Sequence, residues 1–90
     1  MRAHLVIYGI VQGVGYRYST YRKAVELGLT GWVRNREDGS VEAVFEGPTE
    51  KVEEMIKWCY VGPRGARVDK IDIKMEDDFN NLYNKFEIRF

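Results

Sequence analysis

The chain has 90 residues, of which 44% are hydrophobic and 31% charged, a size expected to form one domain that buries about 64% of its unfolded surface. With no apolar run near the length of a membrane span, disorder and membrane spanning are both excluded. Fourteen basic side chains balance fourteen acidic ones, a poor footprint for a protein that must neutralise many phosphates of a nucleic acid.

The Met1-Arg2-Ala3-His4 start lacks the basic segment, apolar stretch and cleavage site of a secretory signal, so a cytoplasmic location is expected. A strand is predicted over His4 to Ile10, followed by the glycine-punctuated stretch Gly9-Ile10-Val11-Gln12-Gly13-Val14-Gly15. From Tyr16 to Leu27, the residues Tyr16, Thr20, Ala24 and Leu27 make a helical stripe that Gly28 stops. A second stripe, Tyr18, Tyr21 and Val25, is read as a contact with another helix. Gly31 to Arg36 and Ser40 to Glu46 are strands flanking Glu37-Asp38-Gly39, a hairpin turn.

Gly47-Pro48-Thr49-Glu50 reads as a helix start with proline at the first helical position. The apolar stripe Val52, Met55, Ile56 and Cys59 follows, and Gly62-Pro63 ends that helix. A strand is expected around Val68 to Met75, then a polar loop over residues 76–81, then a last alternating strand from Phe86 to Phe90. The order is that of an α+β, ferredoxin-like βαββαβ sandwich: an antiparallel sheet with two helices on one face, plus an extra C-terminal strand. The single cysteine, Cys59, cannot form an internal disulfide, and the single histidine, His4, argues against a zinc site. Cys59 is read as core and His4 as structural or solvent-facing.

In this topology the first two strands run the same way with the third between them, so the loop Gln12 to Tyr16 and residue Asn35 meet at one sheet edge, roughly 10 Å apart. Up to Arg36 the basic residues Arg2, Arg17, Arg22, Lys23, Arg34 and Arg36 face the single acid Glu26, which places any anion site early in the chain. Glycines that let consecutive N–H groups converge, the positive end of the first helix and the donor fork of Arg17 together suit a phosphate. The loop also suits a plain tight turn, since it has neither a dinucleotide fingerprint nor a P-loop lysine. Asn35 likewise suits a strand cap, Asp38 with Gly39 a turn, and Arg22, Lys23, Arg34 and Arg36 electrostatic steering. Glu42 receives no role.

The residues Gly9-x-Val11-Gln12-Gly13-Val14-Gly15-Tyr16-Arg17, Thr20, Ala24, Gly28-Leu29-x-Gly31-Trp32-Val33-x-Asn35-x-x-Asp38-Gly39-x-Val41-Glu42, Gly47-Pro48, Gly62-Pro63, Ala66-x-Val68 and Phe86-x-Ile88 resemble the acylphosphatases over nearly the whole chain. Tyr16 departs from the pattern, where phenylalanine is commoner. The resemblance implies the same fold and an enzyme that hydrolyses acyl phosphates to a carboxylate and inorganic phosphate. It implies that the loop Gln12, Gly13, Val14, Gly15, Tyr16 and the side chain of Arg17 hold the phosphoryl group, that Asn35 positions water, and that no metal, cofactor or covalent phosphoenzyme is needed. The expected partners are a small-molecule acyl phosphate as substrate and inorganic phosphate as product, with no nucleic acid and no membrane, and the chain is expected to be a monomer. Two other readings stand beside it. One is a non-catalytic phosphate-binding module. The other is RNA binding through the sheet, disfavoured by zero net charge and by the lack of a glycine-aromatic signature in the third strand.

Overall fold

The computed structural model describes residues 1–77 and 82–90. Strand β1 spans Arg2–Ile10, helix α1 Tyr16–Glu26, β2 Thr30–Asn35, β3 Val41–Glu46, helix α2 Thr49–Val61, β4 Arg67–Glu76 and β5 Phe86–Arg89. These elements form one five-stranded sheet in the order β4-β1-β3-β2-β5. The first and second strands both pair antiparallel with β3 between them, as the split topology requires.

Boundaries shift by a residue or two where pairing overrides local pattern. β1 starts at Arg2, because Arg2 pairs with both Glu46 and Glu76. Arg36 and Ser40 fall outside the strands, since the backbone hydrogen bond Arg36 N to Ser40 O, 2.9 Å, already belongs to the turn. α1 ends at Glu26, with Leu27 as its C-cap. Pro48 is the N-cap of α2 rather than its first helical residue: its ψ of 143° is extended, and its carbonyl accepts from Lys51 and Val52. The polar loop expected over residues 76–81 lies mostly outside the described residues; Glu76 itself ends β4.

Alternation along β1 places Ala3, Leu5 and Ile7, all fully buried, on the face covered by the helices, and Arg2 and His4 on the other. Val33 of β2 and Val41, Ala43 and Phe45 of β3 extend the same buried face. α1 adds Tyr16, Thr20 and Ala24, and α2 adds Val52, Met55 and Cys59, the spacings that the two helical stripes predict. Phe45 stacks on Phe86 with centroids 5.5 Å apart, which ties β5 to the core.

Two expectations need correction. The sheet is mixed, because β5 runs parallel to β2. β4 ends beside the start of β1, at the end of the sheet where β2 also begins; a chain that leaves there for the opposite edge re-enters the sheet in the direction of β2. The stripe Tyr18, Tyr21 and Val25 does not pack on another helix. Tyr18 and Val25 are exposed and Tyr21 packs on Phe86 of β5 at 6.4 Å. The helices meet instead through Tyr16 and Trp58, 5.7 Å apart, and through Lys23 and Glu54.

Candidate active site

The chain leaves β1 and turns into α1 through Gly13 and Gly15, whose φ values of 77° and 79° are left-handed. A side chain at either would meet nothing within 4 Å, so the backbone conformation, not crowding, demands glycine there. Gly15 is the N-cap of α1, with no side-chain cap and no acidic residue in the first turn. The positive end of the helix therefore carries no carboxylate of its own to offset it.

This loop is fastened to the β2–β3 hairpin by Gln12. Its amide Nε2 donates to the carbonyls of Arg36 at 2.8 Å and Ser40 at 2.9 Å. The hairpin is set in turn by Asp38, whose carboxylate accepts from Ser40 N at 3.0 Å and Ser40 Oγ at 2.5 Å. Those bonds from Ser40, side chain first and backbone second, hold the Asp38 carboxyl below its ordinary range. Asp38 is thus a turn-former, as its sequence context predicts.

Asn35 closes β2 opposite Val41. By the two-residue period it lies on the same face as the buried Val33, the face that α1 covers. The result is a cleft of about 230 Å³ lined by Val11, Gly13, Gly15, Tyr16, Arg17, Tyr18, Asn35, Ile88 and Phe90. Gly13, Gly15, Tyr16, Arg17 and Asn35 of the predicted site come together here. Gln12 and Val14 do not line it: Gln12 is spent on the hairpin and Val14 packs against the core.

Arg17 contributes the one charged side chain among the residues that line the cleft. Its guanidinium lies over the Phe90 ring, 4.9 Å from the centroid, and Nη1 donates to Arg89 O at 3.5 Å. A cation against an aromatic face is held in place while its outer donors stay available. Sequence reasoning missed this wall of the cleft, formed by Ile88 and Phe90. The alternation Phe86, Ile88, Phe90 signals which face these residues share, but not that their strand lies beside β2.

Tyr16 has its backbone at the loop and its ring in the core, 1% exposed. Its hydroxyl donates to the carbonyl of Cys59 at 2.5 Å. The residue four beyond Cys59 is Pro63, which has no N–H to give, so the hydroxyl satisfies a helix-end carbonyl that the helix cannot. Burial, first, and the neighbouring Cys59 push the phenol well above its usual range. Burial also pushes the Cys59 thiol up to about 12, which makes it an inert core residue.

On the opposite sheet face, His4 Nε2 lies 2.6 Å from Glu42 Oε2, and Arg34 Nε donates to Glu42 Oε1 at 2.7 Å. Burial raises the Glu42 carboxyl, but the bonds from His4 and Arg34 outweigh it and hold the group low. Trp32, 8% exposed, is flanked by the guanidinium groups of Arg34 and Arg89 and donates through Nε1 to Tyr83 Oη at 3.0 Å.

The Acylphosphatase family model matches residues 3–88. An acylphosphatase of Trichormus variabilis is 54% identical over 77 residues, covering 86% of this chain and 76% of the relative. One of Pelotomaculum thermopropionicum is 46% identical over 89 residues, covering 99% and 96%. The crystal structure of acylphosphatase from Bacillus subtilis superposes with a TM-score of 0.94 at 30% identity, over 99% of this chain and 98% of that one. The match spans the elements that build the cleft as well as the core beneath it: the chain belongs to the acylphosphatase family, and its activity is that of an acylphosphatase hydrolase.

Proposed function

We propose that the cleft holds the phosphoryl group of a small acyl phosphate on the main-chain amides of residues 12–17 and the guanidinium of Arg17, while Asn35 holds the attacking water. The observation that supports this reading is the convergence of Gly13, Gly15, Arg17 and Asn35 on one cleft. Water attacks phosphorus, the bond from phosphorus to the carboxyl oxygen breaks, and a carboxylate and inorganic phosphate leave. A carboxylate with a conjugate-acid pKa of about 4.3 departs without a protein proton donor. Charge in the loose transition state spreads over the phosphoryl oxygens, where N–H dipoles and a guanidinium stabilise it. Asparagine is no base, so the water's proton passes to a phosphoryl oxygen of the substrate.

The same chemistry needs no metal. Hydrolysis of benzoyl phosphate, followed by phosphate release, should continue in the presence of a chelator. Arg17→Ala should raise KM and lower kcat together, by roughly 100-fold in kcat, and Arg17→Lys should recover little because an ammonium cannot reproduce the planar fork. Wild-type turnover by Arg17→Ala would remove the guanidinium from the mechanism. RNA binding through the sheet has no support from the open face, where Trp32 is covered rather than presented for stacking.

A further inference from the structure

We propose that Tyr18, Ile88 and Phe90 form the subsite for the acyl half of the substrate, and that the Tyr18 ring selects a flat, apolar acyl group over a short or an anionic one. The inference rests on the phosphoryl site proposed above, because the acyl group is bonded to the phosphoryl group and must occupy the remainder of the same cleft.

That remainder is the open end of a seam between α1 and β5. β1 and β2 both pair antiparallel with β3, α1 runs back between them, and β5 is parallel to β2, so α1 and β5 run in opposite directions. Ile88 lies opposite Val33, and the two-residue period puts Phe86, Ile88 and Phe90 on the face that α1 covers. Tyr21 closes the seam on Phe86, with ring centroids 6.4 Å apart. Tyr18 stands about one helical turn nearer the start of α1, the direction in which β5 advances from Phe86 to Phe90. Arg17, its neighbour in the chain, reaches Phe90 there at 4.9 Å.

The seam does not close at this end. Tyr18 and Phe90 line the cleft together with the half-buried Ile88, yet Tyr18 is 59% exposed and Phe90 fully exposed. Two rings beside a cleft, with water on them, are apolar surface that a ligand can cover. The Arg22 guanidinium lies over the Tyr18 ring at 5.9 Å, which steadies the ring, but Arg22 does not line the cleft.

The lining is therefore divided by chemistry. Peptide N–H groups, a guanidinium and a carboxamide stand at the loop, and two rings and a branched aliphatic chain stand along the seam. Arg17 is the one charged lining residue and is engaged by the phosphoryl group. An acyl group with a second negative charge would lose hydration against the rings without meeting another cation in the lining. An acetyl group would leave the rings wet, whereas an aromatic acyl group covers them in offset or edge-to-face contact.

Steady-state kinetics with paired substrates tests this. Contacts to the acyl group are alike in the ground and transition states, so their loss falls on KM. Tyr18→Ala should lower the ratio of kcat/KM for benzoyl phosphate to that for acetyl phosphate roughly tenfold, carried by KM for benzoyl phosphate. Tyr18→Phe keeps the ring and should restore the ratio. Inorganic phosphate as competitive inhibitor reads the phosphoryl site alone, and its inhibition constant should not follow the substitution at position 18. Wild-type enzyme should favour benzoyl phosphate over succinyl phosphate, whose acyl group carries a second carboxylate. An unchanged ratio in Tyr18→Ala would overturn the proposal. So would an equal loss on both acyl phosphates with weakened inhibition by phosphate, which would make Tyr18 a support for Arg17, or a wild-type preference for succinyl phosphate. Failure of the phosphoryl site reads differently: Arg17→Ala would then be inhibited by phosphate as strongly as wild type.

Discussion

Replacing Tyr16 by phenylalanine removes one oxygen from the core and tests what the buried hydroxyl does there. The hydroxyl is buried and donates to Cys59 O at 2.5 Å. That carbonyl has no alternative donor along the helix, because Pro63 supplies no N–H and Gly62 N is used by Trp58 O at 2.8 Å. Leaving a buried acceptor unpaired costs about 1–3 kcal/mol, part of which is offset because the phenol no longer has to be desolvated. We expect a loss of about 1.5 kcal/mol, which for a domain of this size lowers Tm by about 8 °C. Chemical denaturation should give the same difference with an unchanged m-value. The ring remains against Trp58 and the backbone of residue 16 is untouched, so kcat for benzoyl phosphate at 25 °C should stay within about twofold of wild type. A Tyr16→Phe protein as stable as wild type would refute the claim that this hydroxyl completes the end of α2.

Gln12→Ala removes both bonds between the loop and the hairpin. It should cost about 1–2 kcal/mol of stability and lower kcat/KM more than tenfold, by freeing Asn35 to shift relative to the loop; an unchanged kcat/KM would show that the tie does not position the site. Glu42 has a carboxyl held low by His4 and Arg34, so its contribution to stability is complete above the ordinary glutamate pKa of about 4.3 and fades as pH falls through the lower folded value. Glu42→Gln should therefore be less stable at pH 7 and lose less on acidification; parallel stability curves for the two proteins would contradict this.

Much of the architecture was legible because local periodicity and burial agree. The stripe Tyr16, Thr20 and Ala24 could only face a core, and it does. The glycines around Val14 and the Asp38-Gly39 turn each announce a backbone need that the structure meets. What could not be read was any contact whose partner is chosen at long range. The residues Phe86 to Phe90 declare themselves a strand, yet nothing local selects β2 as neighbour, and with that choice goes the Phe90 ring beneath Arg17. Tyr18, Tyr21 and Val25 share a helical face by spacing, but α2 lies elsewhere and β5 takes up only Tyr21. The hydroxyl of Tyr16 reads as a bare substitution until α2 brings the carbonyl of Cys59 beside it.

The division of labour in the cleft is best tested by steady-state kinetics of Asn35→Ala with benzoyl phosphate. If the carboxamide orients water while the loop and Arg17 bind phosphate, kcat should fall roughly 100-fold or more with a much smaller change in KM. A kcat equal to that of wild type, or a loss confined to KM, would contradict the account.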